Sequence, residues 1–259
     1  MTARVVHLEQ REGDRAWGAT AIYPTGAWAR TLEQQPAAYA GDGVDVTGVQ
    51  VLDEFEALSG PIVLTSATEL GLVYDAMLTE AFARDVELSL GSGWPPIVVG
   101  IETGSDLALH AGRVDAGVLG PLFSEAGAGA PMSGRRGAGV LAPPGSGGFG
   151  WVDARHGEMR LEVGTLVAGA ESVAVLVTDA ALTARALRRL AVAAVGGLAE
   201  AADGERRFAL ALSTARRRGG SSTLPSGAER ALARIVSRTV ANSGNDADTA
   251  PSGMRKRSV

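Results

Sequence analysis

The chain has 259 residues, 46% of them hydrophobic but only 5% aromatic, and a net charge of -5. That length allows one large domain or two small ones, with a core built mainly from Ala, Val and Leu. The absence of cysteine excludes disulfides, thiolate metal sites and a cysteine nucleophile. The acidic balance argues against nucleic acid as a partner, and no apolar run reaches the length of a membrane span. Met1 to Gln10 carries no signal-peptide core, so a cytoplasmic protein is expected. The sole lysine is Lys256, and the only asparagines are Asn242 and Asn245, so no mechanism can draw on either residue type in the body of the chain.

In chain order, residues 4–7 open as a strand and residues 19–24 form another, stopped by Pro24-Thr-Gly26. Residues 42–52 read as a strand broken at Gly48 and then resumed. Pro61-Ile-Val-Leu-Thr65 is a short buried strand. Leu70, Val73, Met77, Ala81 and Phe82 recur at helical spacing, with Thr68 as the N-cap. Pro96-Ile-Val-Val-Gly100 is strand-like. Residues 103–150 contain three Gly/Pro-rich stretches and read as loop or linker. Met159 to Val167 alternates as a strand, Gly169-Ala-Glu171 interrupts it, and Ser172-Val-Ala-Val-Leu-Val-Thr-Asp179 begins the next. A helix follows over about 183–202, its apolar face formed by Leu187, Leu190, Ala191, Ala194, Val195 and Leu198. Phe208 to Ser213 is a strand, 229–241 a second amphipathic helix, and 243–259 a polar tail. Without a clean βαβ rhythm, the pattern predicts antiparallel sheet with helices stacked outside.

The chemistry centres on Ser172. His7, His110 and His156 are scattered and no Gly-x-Ser-x-Gly elbow occurs, which argues against a Ser-His-Asp triad. Three isolated histidines give no metal cluster, and no Gly-Lys pair forms a phosphate loop. No cofactor is implied. A serine at the head of a strand can use its own α-amine as base once the preceding peptide bond is cut. Asp203 and Glu205 then hold the ammonium, and Ser213 is expected to face the same end of the sheet. In the alternative, Ser172 is an ordinary strand-edge serine and Asp203-Gly-Glu205 a solvated turn.

From Ser172 onward the chain resembles the DmpA/β-peptidyl aminopeptidase family, which includes nylon-oligomer hydrolases. The likeness rests on Val177-Thr-Asp-Ala-Ala-Leu182, Leu187-Arg-Arg-Leu-Ala191 and Gly197-Leu-Ala199. In the right order upstream it also rests on Thr20-Ala-Ile-Tyr-Pro-Thr-Gly26, Gly60-Pro-Ile-Val-Leu-Thr65, Val98-Val-Gly-Ile-Glu-Thr103 and Val163-Gly-Thr-Leu-Val167. The resemblance implies an α/β fold, a four-layer α/β/β/α sandwich of the DmpA/ornithine acetyltransferase type, in a single hydrolase domain over 1–242. It further implies autocleavage into chains 1–171 and 172–259, a homo-oligomer, and release of N-terminal residues from a peptide or amide substrate. By position, Ser172 is the nucleophile, with Asp203 and Glu205 supporting its amine. The family's oxyanion-loop Asn aligns with Arg135 in Gly134-Arg-Arg-Gly-Ala-Gly139, leaving the amides near Gly137 and Gly139 as donors. Other family positions also differ: Lys-Gly-Gly is Ser146-Gly-Gly148, Glu-Thr-Tyr-Asp is Glu102-Thr-Gly-Ser-Asp106, and Thr-Asn-Thr is Thr65-Ser-Ala-Thr68. Glu171 precedes the serine where relatives carry Gly or Asn.

Overall fold

The computed structural model describes residues 3–12, 15–25, 35–84, 96–102, 116–124, 131–142, 146–215 and 221–243. His110, the 103–106 part of the Glu102 motif, and 244–259 lie outside them. The first hairpin is β1 (Arg4–Glu12) with β2 (Arg15–Tyr23), paired in full antiparallel register from Arg4↔Tyr23 to Glu12↔Arg15. β3 (Gln35–Asp42), β4 (Asp45–Val46), helix α1 (Val49–Phe55) and β5 (Ala57–Leu58) follow. Next come β6 (Ile62–Ser66), α2 (Leu70–Arg84) and β7 (Ile97–Ile101), then β8 (Gly148–His156), β9 (Met159–Ala168) and β10 (Glu171–Thr178). The chain closes with α3 (Ala184–Ala201), β11 (Arg206–Ser213) and α4 (Ala228–Ser243).

The strands form two sheets, ordered β1-β2-β6-β7-β4 and β5-β3-β11-β10-β9-β8. Three apolar layers hold them. Val5, Ile22, Leu64 and Val99 of the first sheet meet Leu166, Val173, Val175 and Phe208 of the second. The outer face of the second sheet packs Leu161, Val163, Ala174 and Leu176 under α3 and α4, and the outer face of the first packs Ala21, Val63 and Val98 under α2. This is a four-layer α/β/β/α sandwich. Small residues let the two helices of one layer approach closely: a β-carbon on Gly197 of α3 would lie 2.4 Å from the Ala233 carbonyl of α4.

Several expectations change. The sheets are mixed rather than antiparallel: β10 and β11 are parallel, joined by α3, and so are β6 and β7, joined by α2. A helix at each crossover permits this, since parallel neighbours need a long connection. After Gly48 the chain turns helical instead of resuming a strand: Gly48, at φ 72°, caps α1 and its carbonyl accepts from Val51. Thr68 lies in a 3₁₀ turn over Ala67–Glu69 that leads into α2, with its hydroxyl against Ser66, and Phe82 is exposed. Thr183 caps α3, accepting from the Ala186 N–H, while Asp179 accepts from the Arg160 N–H instead. Within 103–150, Gly137–Leu141 is a buried 3₁₀ segment rather than linker, and Gly148–His156 is a full strand. Runs of Gly and Ala hide the apolar period because backbone fills the space that side chains usually fill.

Candidate active site

β9 and β10 form a hairpin with Ala168 opposite Glu171, so the connecting turn is Gly169-Ala170, with Gly169 at φ 58°. Ser172 therefore sits second on β10, opposite Val167 of β9 and Arg207 of β11. It is fully buried, and its hydroxyl has no hydrogen-bond partner. Buried hydroxyls are nearly always paired, so this one calls for a reason.

Strand alternation decides which way it points. Val173, Val175 and Val177 belong to the layer between the sheets, whereas Ala174, Leu176 and the opposed Val167 face α3 and α4. Ser172 shares the helix-facing side. Its neighbour Glu171, opposite the inter-sheet Ala168, faces between the sheets. There its carboxylate accepts the Glu102 N–H at 2.5 Å and pairs with Arg206 at 3.0 Å, and Arg206 reaches Glu102 at 2.6 Å. Burial raises the Glu171 pKa above the usual carboxylate value, and the nearby charges of Glu102 and Asp45 add to the rise; the Glu102 N–H and Arg206 oppose it. Sequence reading marked Glu171 only as an odd residue before a nucleophile. Its partners come from Glu102, just past β7, and from Arg206 of β11, which no local pattern reveals.

The acidic pair lies beside the hairpin turn that precedes Ser172. Asp203, Gly204 and Glu205 line one cavity of about 440 Å³ with Gly169, Ala170 and Arg206. A β-carbon on Gly204 would lie 2.2 Å from the Ala170 carbonyl, so this turn lies directly on the hairpin turn before Ser172. Both acids are exposed, and neither bonds Ser172.

The remaining candidates do not converge on Ser172. Ser213 pairs with Thr178, six positions along the ladder from the Ser172–Arg207 pair, which is roughly 20 Å at strand rise. It therefore lies at the opposite end of β10, with its hydroxyl donated to the Ala180 carbonyl at 2.6 Å, which corrects the expectation of a shared end. Gly137, Ala138 and Gly139 lie in the 3₁₀ segment whose Ala138 and Leu141 join the inter-sheet layer, across the sheet from the Ser172 side chain. Their amides are already engaged: Gly137 donates to Glu9 at 2.8 Å, Ala138 to Thr20 at 2.9 Å, and Gly139 to the Arg136 carbonyl at 2.8 Å. Arg135 is exposed beside them and makes no polar side-chain contact among the described residues. His7 lies against Thr20 Oγ1 at 3.0 Å and edge-on to Phe149. Burial, helped by Arg136 and opposed by the Met132 carbonyl, lowers its pKa to about 4. It is a neutral imidazole between the sheets and forms no pair with Ser172. His156 bonds the Ser226 carbonyl at the far end of β8. Among the described residues no group of His, Asp and Glu could hold a metal ion, and no helix is long and apolar enough to cross a membrane.

Solved structures share this architecture. The PH0078 protein from Pyrococcus horikoshii OT3 superposes with a TM-score of 0.79 at 20% identity, covering 93% of this chain and 83% of that one. A Burkholderia sp. beta-aminopeptidase gives 0.74 at 22%, covering 94% and 84%. The L-aminopeptidase D-Ala-esterase/amidase from Ochrobactrum anthropi, a variant of the Ntn hydrolase fold, gives 0.73 at 17%, covering 93% and 83%. Comparison by sequence with curated proteins gives no match. The profile of peptidase family S58 matches residues 2–172, well over half the chain, from β1 to the serine at the head of β10. On that match, the chain belongs to peptidase family S58.

Proposed function

We propose that this protein is a precursor of an N-terminal-nucleophile serine aminopeptidase or amidase, cut between Glu171 and Ser172. The observation that carries the reading is the buried, unpartnered Ser172 hydroxyl one residue after a tight hairpin turn against which the Asp203-Gly204-Glu205 turn packs. In scission, Ser172 Oγ attacks the Glu171 carbonyl carbon. The C–N bond breaks, an ester forms, and water hydrolyses it to a Glu171 carboxylate and a free Ser172 amine. In turnover that amine takes the hydroxyl proton as Oγ attacks the substrate carbonyl. The leaving amine receives the proton, and water releases the acyl group. Asp203 and Glu205 orient the ammonium. The Gly137 and Gly139 amides are occupied and their segment lies across the sheet from the Ser172 side chain, so Arg135 becomes the oxyanion donor only once scission lets the head of β10 turn toward that loop. The substrate is a peptide or amide, the assembly a homo-oligomer, and the compartment the cytoplasm.

A second reading has an observation of its own. Ser172 and the Gly137–Gly139 segment lie on opposite faces of one sheet, and Glu171 is tied into the inter-sheet space. A one-residue slip of a strand turns every side chain over, so scission must free the head of β10 to rotate. Held in place by these contacts, an uncut chain stays whole and acts as a binding or assembly protein. Mass spectrometry of the denatured protein separates the two. Fragments 1–171 and 172–259, absent from Ser172→Ala, support the peptidase, whereas one intact 26.4 kDa chain after long incubation sinks it. For the cut form, aminoacyl p-nitroanilides, β-amino acids included, should be turned over.

A further inference from the structure

A second cavity, of about 310 Å³, opens at the edge of the second sheet between β3, α1 and α3. Its walls carry opposite charges. Arg185 and Arg188 come from α3, and Asp53 and Glu56 from the end of α1. All four are exposed, yet no ion pair joins them, and neither arginine is ion-paired to any described residue. Between the walls lies Tyr39, stacked on Phe208 at 24°. Its hydroxyl donates to Asp53 at 2.9 Å, and the Arg188 guanidinium sits 5.8 Å from its ring centre.

The backbone there is also open. β5 pairs with β3 only at Gln35 and Pro36, and the Ala37 N–H turns outward to the Glu56 carbonyl at 3.0 Å. Residues two apart on a strand point their N–H and C=O to the same edge. Tyr39 therefore presents its amide and carbonyl to the cavity, with no strand opposite among the described residues. Glu56, at φ 51°, is the one non-glycine in the left-handed region among the described residues. A glycine would take that helix-end position without strain, so the carboxylate is what the position supplies.

We propose that this cavity binds a short zwitterionic peptide of one or two residues. Its carboxylate meets Arg185 and Arg188, its ammonium meets Asp53 and Glu56, and its backbone adds to the open edge of β3 at Tyr39. The volume is at the small end of ligand cavities. The site does not rest on Ser172, which lies three ladder positions and two strands away with its side chain on the helix-facing side, whereas Tyr39 packs toward Phe208 between the sheets.

Titration calorimetry of the full chain with Ala-Ala, N-acetyl-Ala-Ala and Ala-Ala-amide tests it. Ala-Ala binds, and blocking either end weakens binding at least about tenfold, as loss of a charge-assisted pair does. Arg188→Ala and Asp53→Asn each weaken Ala-Ala by about the same factor while the melting temperature holds, and Ser172→Ala leaves it unchanged. Equal binding of the blocked forms, insensitivity to Arg188→Ala and Asp53→Asn, loss of binding in Ser172→Ala, or no heat at millimolar peptide would each overturn the site.

Discussion

The two ends of the inter-sheet layer use one device with different surroundings. At one end Glu162 of β9 accepts the Ala3 N–H at 2.7 Å and pairs with Arg160 at 3.1 Å. At the other, Glu171 accepts from Glu102 and pairs with Arg206. Each carboxylate takes a backbone N–H from a segment bordering the opposite sheet, so each clasps the two sheets. The Glu162 end is the more closed of the two, with Arg160 only 20% exposed, although its second partner Asp153 is 48% exposed. The Glu171 end is open: Arg206 is 39% and Glu102 54% exposed. The difference teaches that the end bearing the proposed scissile bond is the one whose clasp solvent reaches and can loosen.

Chemical denaturation of variants tests this contrast. Glu162→Ala leaves a buried Ala3 N–H without an acceptor and is expected to cost about 2–3 kcal/mol. Glu171→Ala costs less, about 1–2 kcal/mol, because solvent screens its partners and Arg206 keeps Glu102. A larger loss at Glu171 would reverse the assignment of open and closed ends. Ser213→Ala, which removes a hydrogen bond to Ala180, is expected to cost about 1 kcal/mol. Ser172→Ala removes an unpartnered hydroxyl and should stay within about 0.5 kcal/mol of the parent. A marked loss there would mean that the serine is structural. The last contrast is in pH. The raised pKa of Glu171 means the native state binds more protons than the unfolded chain above the ordinary value of 4.5. Its contribution is therefore present at low pH and fades as pH rises through the folded value. The stability advantage of the parent over Glu171→Gln should shrink from acid toward neutral pH, and a growing advantage would contradict the burial.

Much of the sandwich was legible in the sequence. Leu187, Leu190, Ala194 and Leu198 mark α3, and the runs at Ile62, Ile97 and Ser172 mark strands because their apolar periods are undiluted. β3 and β8 went unread, since Gln35-Pro-Ala-Ala-Tyr-Ala and Gly148-Phe-Gly-Trp mix glycine, alanine and proline with little contrast between faces. The position of Ser172 at the head of a strand could be read, but not the face it occupies. That follows from where the hairpin turn falls, because a shift of one residue exchanges Ser172 with Glu171. Asp203 and Glu205 were placed by chain order, whereas Ser213 was misplaced because parallel pairing of β10 and β11 puts their far ends together.

The strand order β5-β3-β11-β10-β9-β8 has a consequence for a nicked molecule. Segment 172–259 supplies the two central strands, and segment 1–171 supplies both flanks. Neither piece could leave without tearing open a ladder on each side. The two would be as inseparable as interlaced fingers, sharing one hydrodynamic radius with the uncut chain, so native size alone would never betray the cut.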